Sequence, residues 1–539
     1  MIHSRIARAA ALGLVGLVAL AGCQAEVPGE EAGQEVEVSR TFVIGAGEVE
    51  GLDPILTKSY TALQATANLY AGLVEEEFEP VEGGYLATTG KHINGVIEST
   101  ETSEDGRTLT YRLVDGLTFA DGTPLTSEDV VYSMKRTLSE ASYVAGSSSI
   151  FMHISDAESQ IVAIDESTIE VTLDAQSPAL NKFLAQSTFS VVSADAGMAN
   201  PGKDGSATDY FTNNATPSGP FALEDWAGAE SMTLVKNSNY VHAEDVFAEK
   251  ITILNMPDLD QRYLAVKNGD IDVALQLTPR LVQEAASDEA LRVLTMPSGF
   301  FYFLGMNPKV APFDNDVVRQ AIAKAIPYEQ LMEEVMLGQA SPAYGIVPNN
   351  METSIAPDDK TTQYETNTAA AKKLLEDAGL EGLAVELSVS SSDQISVDSA
   401  VYIQSALAEI GVTVNISKMA EVDFITSSYS QKLPFLIGNW VSSVQDPFFQ
   451  MRAVLLTDRA TNQTGFSNAK FDELVLTGID EGDDAERERL SALAQQIVID
   501  EAAFVNLFAM DTSVVTRADV SGIALRSDQL FQLRYLTRE

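Results

Sequence analysis

The sequence predicts an α/β fold in more than one domain. Apolar residues switch repeatedly between alternation and helical spacing, so strands and helices follow one another along the chain. Hydrophobic residues make up 45% and charged residues 21%, a globular composition. The length, 539 residues, corresponds to about three domains at roughly 150 residues each.

Thr41-Phe42-Val43-Ile44 reads as a short strand. From Thr108 to Val114, Leu109, Tyr111 and Leu113 alternate with Thr110 and Arg112, which predicts a half-buried strand. Asp115-Gly116 and Asp121-Gly122 are turn signals around Leu117-Thr118-Phe119. Thr126-Ser127-Glu128-Asp129 has a capping-box pattern, and Val130, Val131, Met134 and Leu138 continue it as a helix. Ile169, Val171 and Leu173 alternate as a further strand. Asn268-Gly269 predicts a tight turn before a strand over Ile271–Leu275. Val318, Ala321, Ile322 and Ala325 make one helical face; Ala371, Leu374, Leu375 and Ala378 make another, stopped by Gly379. Ile403, Leu407 and Ile410 make a third, stopped by Gly411 and followed by a strand over Val412–Ile416.

The N-terminus reads as an address. Arg5 and Arg8 precede an apolar run from Ala9 to Gly22, which has the length of a signal-peptide core and is too short to span a bilayer. Leu20-Ala21-Gly22-Cys23 resembles a bacterial lipobox. The resemblance implies cleavage after residue 22 and a lipid on Cys23, the only cysteine. Residues 23–39 hold Glu26, Glu30, Glu31, Glu35 and Glu37 with little apolar content, and read as an acidic tether. Several acyl chains on one residue would hold the protein stably at a membrane.

Composition narrows the function. Asp and Glu number 78 against 34 Lys and Arg, a net charge of −44, which argues against nucleic acid as a partner. One cysteine excludes an intramolecular disulfide. Four scattered histidines give no metal-ligand spacing, so no metal and no cofactor are expected. Gly45-Ala46-Gly47 follows a strand, but Glu50 stands where a dinucleotide loop needs its third glycine. Gly84 to Lys91 has five residues between its glycines, one more than a P-loop, and His92 follows the lysine. Ser467-Asn468-Ala469-Lys470 matches Ser-x-x-Lys, which leaves a penicillin-recognising serine hydrolase as a distant alternative.

Seven blocks in order carry a wider resemblance. Leu52-Asp53-Pro54 leads to Leu69-Tyr70-Ala71-Gly72-Leu73-Val74. Asp105-Gly106, Tyr111-Arg112-Leu113, Asp115-Gly116, Phe119, Asp121-Gly122-Thr123-Pro124-Leu125-Thr126 and Glu128-Asp129-Val130 form the most distinctive stretch. Pro217-Ser218-Gly219-Pro220-Phe221 with Trp226, Asn237 and Tyr240 follows, then Gly269-Asp270-Ile271-Asp272. Asn307, Pro312-Phe313 and Val317-Val318-Arg319-Gln320-Ala321-Ile322 come next, then Ala370-Ala371-Lys372-Lys373-Leu374-Leu375 with Ala378-Gly379, and last Trp440 with Asp446-Pro447. In this the chain, from about residue 40 to its end, resembles the extracellular solute-binding proteins of family 5, the dipeptide, oligopeptide and nickel-binding group of ABC importers. Ala120 stands where the group usually has His, and Pro327 where it commonly has Asp or Asn.

The resemblance implies a type II periplasmic-binding-protein-like flytrap of two lobes with an inserted extra domain. Lobe I would comprise 40–76, 215–296 and 511–539, the extra domain 77–214 and lobe II 297–510, with a hinge near 296 and 511. It implies a monomer on the outer face of the cytoplasmic membrane, closing on a peptide or other small polar solute and delivering it to permease and ATPase subunits. In peptide-binding members an Asp three residues after the last-block Trp pairs with the peptide amine; here that position is Ser443. Dipeptide-binding members hold the carboxylate with an Arg; the corresponding stretch, Ser390 to Ile395, has none. The implied pocket set is Ser391, Ser392, Asp393, Asn439, Trp440, Ser442 and Ser443, with Asp393 or Asp446 available to an amine. Hydroxyls and amides around one indole leave an oligopeptide and a non-peptide solute such as an oligosaccharide both open.

Overall fold

The computed structural model describes residues 39–203, 205–355 and 365–539. The signal segment 1–22, Cys23 and the tether up to residue 38 lie outside these residues.

Two long strands organise the chain. Leu291–Met306 and Phe504–Arg517 pair antiparallel over most of their length. Both are rich in Val, Phe, Leu and Thr, which suit a pleated, buried surface. Their register shifts between Pro297 and Phe301, where proline cannot donate to the ladder. Ser298 fills the irregularity: its hydroxyl donates to the Met510 carbonyl at 2.7 Å and accepts from the Phe300 amide at 3.1 Å.

Each long strand serves both halves of an eleven-stranded mixed sheet. On one side, Phe504–Arg517 pairs with Val273–Ala274, and the sheet continues through Thr41–Ala46, Lys250–Asn255, Ser231–Lys236 and Phe221–Trp226. On the other, Leu291–Met306 pairs with Phe435–Val441, then come Ala384–Ser390 and Thr413–Met419. Ala340–Ser341 pairs with the middle of Phe504–Arg517. Thr41–Ala46 runs parallel to Lys250–Asn255, and Ala384–Ser390 runs parallel to Thr413–Met419 with the helix Gln394–Glu409 as the crossover. Smaller sheets form from Val74–Val81, Gly84–Asn94, Ile523–Leu525 and Phe531–Gln532, and from Ile97–Thr102, Thr108–Leu113, Thr168–Thr172 and Ile161–Asp165.

The core follows this division. One cluster draws only on residues between Tyr302 and Phe508, with the helices Asp316–Ala325, Thr368–Ala378 and Gln394–Glu409 packed on their strands. A second runs from Tyr263 to Leu291 and takes in Val515. The largest joins the first strand to the smaller sheets, and Phe449 enters it between Phe151 and Phe183, with ring centroids 5.6 and 5.8 Å away.

Most predicted elements are present. The capping box forms at Thr126, whose amide donates to the Asp129 carboxylate at 2.8 Å. Gly379 and Gly411 are left-handed, at φ 67° and 81°. The strand expected over Ile271–Leu275 shortens to Val273–Ala274, and Gly269 instead ends the helix Leu259–Asn268 in the left-handed conformation. Asp272 is drawn out of the ladder because its carboxylate caps the Val43 amide and pairs with Arg538.

Several residues of the resembling blocks make joints between segments. Gly219 donates its amide to the Leu69 carbonyl, and a side chain there would meet the Tyr70 backbone at 2.8 Å, so only glycine fits. Ser218 beside it accepts from Ala71 and donates to Val191.

Candidate functional site

The strand Phe435–Val441 places Val441 opposite Phe300, Trp440 opposite Phe301 and Asn439 opposite Tyr302. Successive side chains on a strand point to opposite faces. Asn439 and Val441 therefore share one face with Phe300 and Tyr302, and Trp440 points to the other. Trp440 packs against the largest core cluster, with its indole N–H buried.

Two cavities lie along this strand. The first, about 290 Å³, is lined by Val441, Ser442, Ser443 and Phe300, by Lys58, Tyr60 and Leu63, by Tyr143 and Gln186–Thr188, by Gln276, and by Asp528–Leu530. Its walls thus come from segments spread over nearly the whole chain. The second, about 480 Å³, is lined by Ser390, Ser392, Asp393, Glu421, Phe424, Tyr429, Ile437, Asn439 and Gln463, among others.

Five of the eight predicted pocket residues line these cavities. Ser442 and Ser443 line the first cavity. The Ser442 hydroxyl is committed to the Val444 carbonyl at 2.8 Å. The Ser443 carbonyl accepts from the Gln186 amide at 2.9 Å, and its side chain is exposed. Ser392, Asp393 and Asn439 line the second. Asp393 caps the helix Gln394–Glu409 and accepts from Ser396, Tyr302 and Asn439. Burial and the Asp393 carboxylate push the Tyr302 hydroxyl well above its ordinary pKa, so it remains a donor. Ser391 is exposed at the end of its strand and Trp440 lines neither cavity.

Asp446 is fully buried and spoken for. It caps the helix Pro447–Leu455 by accepting from Phe448 and Phe449 at 3.0 Å each, and it takes the Arg487 guanidinium at 2.5 Å. Lys182 approaches it at 3.6 Å and pairs more closely with Glu352, at 2.7 Å. Ser467 and Lys470 do not form a catalytic pair: Ser467 bonds Thr457, and Lys470 pairs with Glu473 on the surface.

Charges on the first cavity come from residues that the sequence did not single out. Asp528 sits on the turn between the strands Ile523–Leu525 and Phe531–Gln532. Arg526 holds it by two bonds, Nε at 3.0 Å and Nη2 at 2.8 Å. Behind Arg526 lies Glu76, 3.9 Å away and bonded to Ser527. Lys58 also lines the cavity, its ammonium 5.2 Å from the Tyr143 ring centre. Tyr60 donates to the Gln529 carbonyl at 3.0 Å. Gln276 and Gln529 both hold left-handed backbones, φ 55° and 71°. Non-glycine residues held this way cost of order 1–3 kcal/mol each and gather at functional sites.

Burial, with Asp528 adding to it, raises the Glu76 carboxyl above its ordinary range, and Arg526 only partly offsets this. An acid raised in the folded state binds more protons there than when unfolded. Its stability contribution is complete below the ordinary carboxyl range and is lost as pH rises through the raised value. Glu76→Gln is therefore expected to gain thermal stability at pH 8 relative to the parent and to match it at pH 4. Equal gains at both values would count against the assignment.

The chain is similar to known proteins over most of its length. The family described as bacterial extracellular solute-binding proteins, family 5 Middle, matches residues 91–462. The probable D,D-dipeptide-binding periplasmic protein DdpA of Escherichia coli (strain K12) is 26% identical, over 92% of this chain and 94% of its own. The dipeptide-binding protein DppE of Bacillus subtilis (strain 168) is 24% identical, over 94% of each. Among solved structures, the substrate-binding protein CtaP of Listeria monocytogenes superposes with a TM-score of 0.81 at 22% identity, over 93% of this chain and 100% of that one. DppA of Helicobacter pylori, in complex with the peptide STSA, gives 0.75 at 21% identity, over 93% and 98%. These likenesses show the two-lobed α/β architecture of periplasmic binding proteins. With the family match covering more than half its length, the chain belongs to the bacterial extracellular solute-binding proteins of family 5.

Proposed function

We propose that this protein is the ligand-capturing component of an ABC importer, and that it closes two lobes around a short peptide. One observation carries the reading: a single cavity takes its walls from Lys58–Leu63, Tyr143, Gln186–Thr188, Val441–Ser443 and Asp528–Leu530. Such a cavity is complete only when these segments are together, so a ligand in it favours the closed arrangement. A ligand shifts an equilibrium only by binding one state better than the other. The proposed bodies are 40–76 with 215–296 and 511–539, the extra domain 77–214, and 297–510, moving about the strand irregularity near Pro297 and its partner Asp511. Hinge closure of this kind is a known mode of ligand capture.

Peptide as the ligand class is supported by what related proteins are named for: a D,D-dipeptide, dipeptides, oligopeptides and glutathione. Lipid attachment at Cys23, on the outer face of the cytoplasmic membrane, is supported by the lipobox-like Leu20 to Cys23. Among the described residues no helix is long and apolar enough to cross a membrane. The protein would act as a monomer and hand its ligand to a permease whose ATPase subunits supply the energy.

Native mass spectrometry of protein made without Cys23 and purified gently tests the reading. The expected result is a set of bound masses that fragment into amino acids. A single non-peptide mass would overturn peptide as the ligand class and favour another polar solute.

A further inference from the structure

Two side chains of opposite charge, Asp528 and Lys58, line the 290 Å³ cavity. Arg526 bonds Asp528 twice, at 3.0 and 2.8 Å, and stands 3.9 Å from Glu76 behind it. Asp528 Oδ1 accepts from Arg526 and from the Leu530 amide, whereas Oδ2 accepts from Arg526 alone. A carboxylate offers about four acceptor sites, so Oδ2 keeps room for a further donor. The same charge reaches into the cavity: after burial, Asp528 is what raises the hydroxyls of Tyr60 and Tyr143. Lys58, over the Tyr143 ring, makes no ion pair among the described residues. An acceptor and a cation therefore line the same cavity without pairing with each other.

We propose that Asp528 takes the ammonium and Lys58 the carboxylate of a short zwitterionic ligand in this cavity. This rests on the peptide reading above and deepens it. It moves the recognition of both ends away from Ser443 and Ser390–Ile395, which carry neither charge in the needed place. The cavity is near the lower end of the range for small-molecule sites, about 300–1,000 Å³. That suits a ligand of two or three residues, with Tyr60, Tyr143 and Phe300 against its apolar parts.

The test titrates trialanine and a randomised tripeptide pool, each free, N-acetylated and C-amidated, into the parent protein, Asp528→Asn and Lys58→Met. Charge-assisted hydrogen bonds lead to an expected loss of about 10- to 100-fold in affinity on blocking either end. Asp528→Asn is expected to lose the same factor for free peptide and to stop distinguishing the acetylated form; Lys58→Met does so for the amidated form. Should Asp528→Asn fail to fold beside Arg526, the blocked peptides on the parent protein still decide. Blocked and free peptides binding the parent equally would overturn the proposal while peptide binding stands. No binding of any peptide form would overturn the peptide reading and the proposal with it.

Discussion

Asp53→Ala is expected to cost the fold about 3–5 kcal/mol, the scale of breaking a buried ion pair by removing one partner. Asp53 and Arg136 are buried, and the guanidinium donates to both carboxylate oxygens, at 2.8 and 2.5 Å. Arg136 is further held by the Ser206 carbonyl at 2.5 Å and lies 4.6 Å from the Phe211 ring centre. The pair joins the loop after the first strand to the helix Ser127–Thr137, so two distant stretches come apart together. Alanine leaves a desolvated guanidinium without its counter-charge, which costs far more than the lost bonds alone. Guanidinium chloride unfolding followed by tyrosine fluorescence reads the loss. A change under about 1 kcal/mol would mean that Arg136 is neutralised another way.

Lys182→Met is expected to act on binding instead. The Lys182 side chain is 10% exposed and reaches Glu352 and Asp446, which lie far along the chain from its own helix Leu180–Leu184. The fold tolerates its loss, because Glu352 is half exposed to water and Asp446 retains Arg487. What is lost is a tie that exists only when these segments meet. A charge-assisted tie of about 1–2 kcal/mol corresponds to about a 5- to 30-fold weaker Kd. Calorimetric titration with the tripeptide pool measures it, alongside an unfolding midpoint expected to stay where it was. An unchanged Kd would show that Lys182 does not hold the closed arrangement.

The contrast between fold and site in the sequence has a physical cause. The capping box at Thr126–Asp129 and the stops at Gly379 and Gly411 were legible because each is decided within a few residues. The turn at Asn268-Gly269 was harder, since the same glycine serves equally as a helix stop. Within the site, Asn439 and Trp440 are neighbours in sequence, yet strand alternation sends them to opposite faces. Asp446-Pro447 held a local signal for its real role, an N-cap followed by proline at the first helical position. Lys58, Gln186 and Asp528 had none. Arg526-Ser527-Asp528-Gln529 reads as an ordinary turn until the fold sets it against residues from the first sixty.

The pairing of the first strand with distant partners has a consequence for how the chain folds. Thr41–Ala46 finds its neighbours at Lys250–Asn255 and Val273–Ala274, and Val273–Ala274 in turn pairs with Phe504–Arg517. Gln64 and Asn68 bond the backbone of Phe531, and Asn68 also accepts from Leu533. Such long sequence separations slow folding, because loops must close before contacts reward them. The half begun by the first strand cannot be finished until Phe504–Arg517 and the segment around Phe531 are in place. The stretch from Tyr302 to Phe508 carries a core cluster of its own, and Phe448 and Phe449 on it join the largest cluster only when the other segments arrive. The two halves are thus completed on different schedules, and the N-terminal part closes only with the segment around Phe531.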